Sequence, residues 1–129
     1  MVQDGRGTLD AGVEAGALPL DVLTMQETTR RVLLEPLSIG EVEVAAITLR
    51  GHIELLVADL QVLILASSSD SREAQVARVG LGEAQRRLTT PPGLGDDAHR
   101  RHAKKLAMSV VSLCGHYESL RSAVVVEER

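Results

Sequence analysis

At 129 residues the chain is long enough for one domain with a real core, and its 44% apolar and 25% charged content argues against wholesale disorder. Its only aromatic side chain is Tyr117, so the core has to be built from Leu, Val, Ile, Ala and Met, a palette that fills helical bundles but leaves single-stranded nucleic acid no rings to stack on. The net charge of −4 is unevenly spread: residues 1–70 carry 4 basic and 11 acidic side chains and residues 71–105 carry 8 and 4, a polarity better suited to an oppositely charged protein surface or a symmetry mate than to general DNA binding.

In chain order, residues 1–20 are rich in Gly, Asp and Ala without a sustained apolar period and read as a mobile tail. A first helix is predicted from Val22 to Leu34, capped by Asp21, with Val22, Met25, Thr29 and Val32 on one stripe and Pro36 ending it. The second helix carries Val42, Ala46, Leu49, Ile53, Leu56, Leu60 and Leu63 at alternating four- and three-residue steps, a heptad seam. Leu55, Val57, Val62, Ile64 and Leu65 widen its apolar surface well beyond that seam, so it is expected to sit centrally.

Ser67 to Asp70 breaks the pattern, and a third helix is predicted from about Ser71 to Leu88. Its buried face is Ala74, Ala77, Leu81, Ala84 and Leu88. Gly80 and Gly82 inside it each cost up to about 1 kcal/mol relative to Ala, which points to tight packing against another backbone, or to a kink. Thr89-Thr90-Pro91-Pro92-Gly93 stops it. A fourth helix is predicted from Asp96 or Asp97 to about Ala123, with Ala103, Leu106, Val110, Leu113, Tyr117, Leu120 and Val124 on its seam, a second stripe of Ala107, Val111 and Cys114, and a VVVEER end that is frayed or extends the helix weakly. The expected fold is all-α: an antiparallel bundle of about four helices over residues 21–125, preceded by the tail.

Cys114 is the lone cysteine, which excludes an internal disulfide and suggests a reducing compartment. The N-terminus lacks a basic start followed by an apolar run, and no stretch approaches about 18 consecutive apolar residues. A cytoplasmic protein without a membrane span is the expectation.

Two constellations could carry chemistry. Arg50-Gly51-His52 in helix two and Cys114 with His116-Tyr117-Glu118 in helix four stand at equivalent stages of their helices, and side-by-side packing could bring His52, Cys114 and His116 together. The structural alternative is stronger: a bundle-edge histidine usually makes one hydrogen bond, Gly51 suggests close helix packing, and the spacing matches no catalytic template. No paired-cysteine or His-x-x-x-His spacing supports a metal, so neither metal nor cofactor is expected. The second constellation is basic: Arg86 and Arg87 close helix three, and Arg100, Arg101, Lys104 and Lys105, with His99 and His102, open helix four. A solvated face is the simpler reading; the functional one is a site for an anion or an acidic partner, built on Arg87, Arg100, Arg101, Lys104 and Lys105. No phosphate-loop, dinucleotide or nucleophile-elbow motif is present.

The strings LRGHIELLV (Leu49–Val57), GEAQRRL (Gly82–Leu88) and LCGHYESL (Leu113–Leu120) together resemble, in order and spacing, a family of small Streptomyces-type actinobacterial proteins that carry an uncharacterised domain. The resemblance spans roughly Met25 to Leu120. Gln85 stands where the family commonly has a basic residue and Gly115 where it commonly has an acidic one, so no fixed role for a carboxylate at 115 carries over. Such proteins are sometimes associated with natural-product biosynthesis, without an assigned reaction. The resemblance implies a shared polar site between helices two, three and four, drawn from Arg50, His52, Glu83, Arg86, Cys114, His116 and Tyr117. Two functions are therefore expected in competition. One is a non-enzymatic interaction or regulatory protein with a protein partner or a second copy of itself; the other is a small-molecule binder or accessory enzyme centred on His52 and His116.

Overall fold

Side-chain oxygens at the helix starts take up amide protons that a first turn leaves free. Asp21 accepts from the amide of Thr24 at 3.0 Å and opens α1 (Val22–Leu34). Ser38 and Glu41 bond each other's backbone amides at 3.2 and 2.8 Å, a reciprocal box that opens α2 (Ile39–Ala66). Ser71 accepts from Ala74 at 3.1 Å and opens α3 (Arg72–Thr89). α4 (Asp96–Glu127) follows a turn in which Gly93 and Gly95 both take positive φ, 89° and 91°, a conformation that side chains resist. The computed structural model describes residues 21–127, and side chains as far as Val124; the expected tail lies outside the described residues.

These short connections turn the chain back at every step, so consecutive helices run antiparallel. α4 touches all three other helices and takes α2 as its main partner, while α1 and α3 flank this pair without meeting each other. The largest fully buried side chains all come from the central pair: Leu49, Ile53, Leu56 and Leu60 from α2, Leu106, Val110, Leu113 and Leu120 from α4. α3 comes in close because its buried line is Ala74, Ala77, Gly80, Leu81 and Ala84. No described helix is long and apolar enough to cross a membrane.

The four predicted helices are therefore present, with informative differences at their edges. On α2 the buried line runs through Val42, Ala45, Leu49, Ile53, Leu56, Leu60 and Ile64, so Ala45 and Ile64 replace the expected Ala46 and Leu63. Both shifts lead away from the middle of the helix, as a 3.6-residue period does when compared with a 3.5-residue seam. Val111, expected on a second buried stripe of α4, is 46% exposed, whereas Ala107 and Cys114 are buried. The end of α4, expected either to fray or to extend the helix weakly beyond Ala123, is helical through Glu127.

The register makes a direct prediction. Leu106→Ala should cost 2–5 kcal/mol (a rough range) in urea unfolding, because it opens a cavity in the α2–α4 seam. Met108→Ala, two residues on and 52% exposed, should stay within about 0.5 kcal/mol.

Candidate functional site

The structure disperses the polar set that the motifs suggested. The Arg50 guanidinium donates to the carbonyl of Leu88, reaching from α2 to the last turn of α3. Such carbonyls lack helical partners and sit at the negative end of the helix dipole, so a cation there is a structural clamp. His52, on the same helix, is partly buried, and its Nδ1 has no hydrogen-bond partner. Burial pushes its pKa below the ordinary histidine value, opposed only in part by the carboxylate of Asp21 at the start of α1.

His116 faces another neighbour. A Cβ built on Gly80 of α3 would lie 2.8 Å from both Cδ2 and Nε2 of the His116 ring, so Gly80 is the socket for this imidazole. The neighbour expected at Gly80 was another backbone; the structure places the His116 side chain there instead. His116 Nε2 also lies 3.3 Å from the Ser112 hydroxyl, one turn back. The anticipated meeting of His52, Cys114 and His116 finds no common neighbour in these contacts. No group of three or more His, Cys, Asp or Glu among the described residues could hold a metal ion.

Cys114 and Tyr117 belong to the core, at 2% and 3% exposure. Burial, and after it the carboxylate of Glu118, raises the Cys114 pKa to about 11, so the group is a thiol at neutral pH and a poor nucleophile. The Tyr117 ring lies under the Arg121 guanidinium, 5.8 Å from its centroid.

The basic residues divide. Arg100 donates to the Leu37 carbonyl at 2.7 Å and pins the α1–α2 connection to α4. Lys104 is exposed and lies outside the cavity described next. Arg86 and Arg87 at the end of α3, with Arg101 and Lys105 from the first turns of α4, line one concave groove of about 500 Å³. Its floor and sides include Pro91 and Pro92 of the connecting turn and Ala98. Glu83 is its carboxylate, and it also borders a smaller hollow of about 190 Å³ beside Gly80 and Met108. Arg87 Nη1 is held by the Lys105 carbonyl at 2.9 Å and the Ser109 hydroxyl at 3.0 Å. His102, also in the groove wall, has its pKa lowered by burial first and then by the charges of Arg50, His99 and Lys105.

The sequence thus named the groove's charged residues but scattered them over two candidate sites, Glu83 and Arg86 in one and Arg87, Arg101 and Lys105 in the other. It missed Thr90, Pro91, Pro92, Ala98 and His102 as co-lining residues. Pro91 and Pro92 had been visible only as a helix stop.

Two measurements check these assignments. Ala at position 80 is worth about 1 kcal/mol over Gly by helix propensity alone, but beside His116 the new methyl has no room. Gly80→Ala should therefore stabilise the His116→Ala protein by about 1 kcal/mol and gain clearly less, or lose stability, in the native background; a denaturation cycle with coupling below about 0.5 kcal/mol would refute the socket. In the folded protein at pH 8, Cys114 should react with a thiol reagent only through unfolding, with full reactivity restored in denaturant.

Comparison with curated proteins and with solved structures returned no match. A family model described as a family of unknown function (DUF6415) matches residues 23–122, which takes in all of α2 and α3 and nearly all of α1 and α4. The chain belongs to this family of unknown function.

Proposed function

We propose that the protein is a non-enzymatic interaction protein, an accessory or regulatory component that works as a homodimer through the outer face of α2. The observation that carries this reading is Gly51. It stands in the middle of a 28-residue helix, and a Cβ there would meet nothing within 4 Å. Within one copy, then, the close packing expected of Gly51 has no partner, while the glycine still costs helix stability. A second backbone approaching from outside would give it a purpose.

The residues around Gly51 support the same reading. Val44, Thr48, Gly51, Leu55, Ala58, Val62 and Leu65 continue the four-three alternation on the side of α2 turned away from α4, and all but Gly51 are exposed. Leu65 is 86% exposed, and Ile47 beside the seam 71%. A second α2 laid antiparallel about a two-fold axis near Glu54 and Leu55 would set Gly51 against Ala58, Val44 against Leu65 and Ile47 against Val62. Small residues would meet small at the point of closest approach and large would meet large on either side, as an isologous interface requires.

The cellular setting rests on sequence. The resemblance of the Arg-Gly-His, Gly-Glu-Ala-Gln-Arg-Arg-Leu and Cys-Gly-His-Tyr-Glu elements to Streptomyces-type actinobacterial proteins supports an accessory role in natural-product metabolism. The lone cysteine supports a cytoplasmic location. A role without catalysis draws on the buried, protonated Cys114 and on the structural duties of Arg50, Arg100 and His116.

Sedimentation equilibrium tests the dimer. The native protein should sediment as two copies, while Val62→Glu and Leu55→Glu should sediment as one copy with unchanged helical circular dichroism. A native protein that remains a monomer at its highest soluble concentration, or charged variants that remain dimers, would overturn the assignment.

A further inference from the structure

We propose that the α3–α4 groove binds a phosphorylated small molecule, with Arg86, Arg87, Arg101 and Lys105 holding the phosphate and Pro91–Pro92 the organic body. Four cations and one carboxylate share a hollow of about 500 Å³, within the size range of small-molecule sites. Among the described residues the ion pairs are confined to α1 and Glu35 at its end: Glu27, Arg30, Arg31 and Glu35. Arg86, Arg101 and Lys105 form none of these pairs and share the groove with Glu83 as its one carboxylate, an excess of positive charge that a dianion would relieve.

The donors are suited to phosphate in particular. Arg87 spends both of its hydrogen bonds on Nη1, which fixes the guanidinium plane and leaves Nη2 and Nε for a ligand oxygen. A fixed guanidinium is a bidentate partner for phosphate or carboxylate, and Arg86 and Arg101 add two more of the same fork. In the same wall burial first, and after it the charges of Arg50, His99 and Lys105, lowers the pKa of His102.

The groove's shape selects a small ligand over a polymer. It is concave and partly closed by a proline turn, the chain is acidic overall, and no Phe, Tyr or Trp lines it for base stacking. Glu83 adds specificity. A carboxylate at the edge of a phosphate site repels a bare anion but accepts from a hydroxyl, so the favoured ligand carries hydroxyl groups beside its phosphate, as a sugar phosphate does. The site stands apart from the α2 face, with which it shares no residue.

Calorimetric titration with pyrophosphate, glucose 6-phosphate and glucose tests the assignment. Glucose 6-phosphate should bind saturably and raise the melting temperature, and glucose should do neither. Arg86→Gln and Arg101→Gln should each weaken binding by about tenfold or more, while Lys104→Gln, outside the groove, should leave it unchanged. Glu83→Gln should weaken glucose 6-phosphate but not pyrophosphate. Absence of saturable binding by either phosphate, or equal losses in the Lys104→Gln and Arg101→Gln proteins, would overturn the site. Tighter binding of a duplex DNA that is lost in the same two arginine variants would overturn it in favour of nucleic acid.

Discussion

The molecule depends on a seam between α2 and α4 that contains almost no aromatic ring. A Leu or Ala buries less surface than a Phe or Trp, so an aliphatic seam gathers its stabilisation from length. With 28 residues, α2 is about 42 Å long, and the 32 residues of α4 span about 48 Å. Both exceed the usual helix by two- to threefold. The side chains of Leu49, Ile53, Leu56 and Leu60 on α2 are wholly buried, and α1 and the alanine face of α3 close the two flanks. Tyr117 is the exception in the seam, and it too is buried.

Long, smooth helices of this kind slide easily past one another unless something fixes their ends. Here arginines do so by donating to main-chain carbonyls. Arg50 binds the end of α3, Arg100 binds the connection after α1, and Arg87 binds α4 at Lys105. Each joins separate elements, and the oxygens that Arg50 and Arg100 satisfy are ones that a helix end or a loop leaves free. A guanidinium in this role resembles a functional residue when only the sequence is seen, because both need a cation at a set place. Arg50 shows the ambiguity best: it lies in a recognisable motif, yet its partner is the backbone.

How far the sequence could be read follows from the same physics. Asp21 was legible as a cap because it acts within its own turn, and Pro36 and Pro91 as stops because they act on adjacent residues, whereas the Ser38–Glu41 box and the cap at Ser71 emerged only in the structure. The buried line of α2 was legible at its centre and drifted at its ends, because a seam counted in heptads departs from a straight helix by about 20° per heptad. The glycines were not separable in sequence. Gly51 and Gly80 both interrupt an apolar helix, but one faces open space and the other the His116 ring. That difference lies in the neighbouring helix. The histidines were misplaced for the same reason: equal stages along α2 and α4 say nothing about which side of each helix a ring leaves from. The groove needed the path of the α3–α4 turn, where two prolines and two left-handed glycines fold Arg86 and Arg87 back over Arg101 and Lys105.

The uneven charge of the chain now has a spatial meaning. Its basic stretch, residues 71–105, spans α3, the turn and the first part of α4, so the surplus of positive charge gathers at one end of the α3–α4 pair. Its acidic part includes α1 and α2, and α2 has Arg50 as its only lysine or arginine, committed to Leu88. Interior α2 surface free of lysine and arginine is a poor landing place for an acidic partner and a good one for an apolar face. The cationic groove has the converse preference. A two-fold pairing through α2 would leave both grooves open, one for each copy, because the apolar seam and the groove draw on different helices. Occupation of the groove would bind the end of α3 to the start of α4 where like charges now push them apart, and would stabilise each copy without changing how the copies meet.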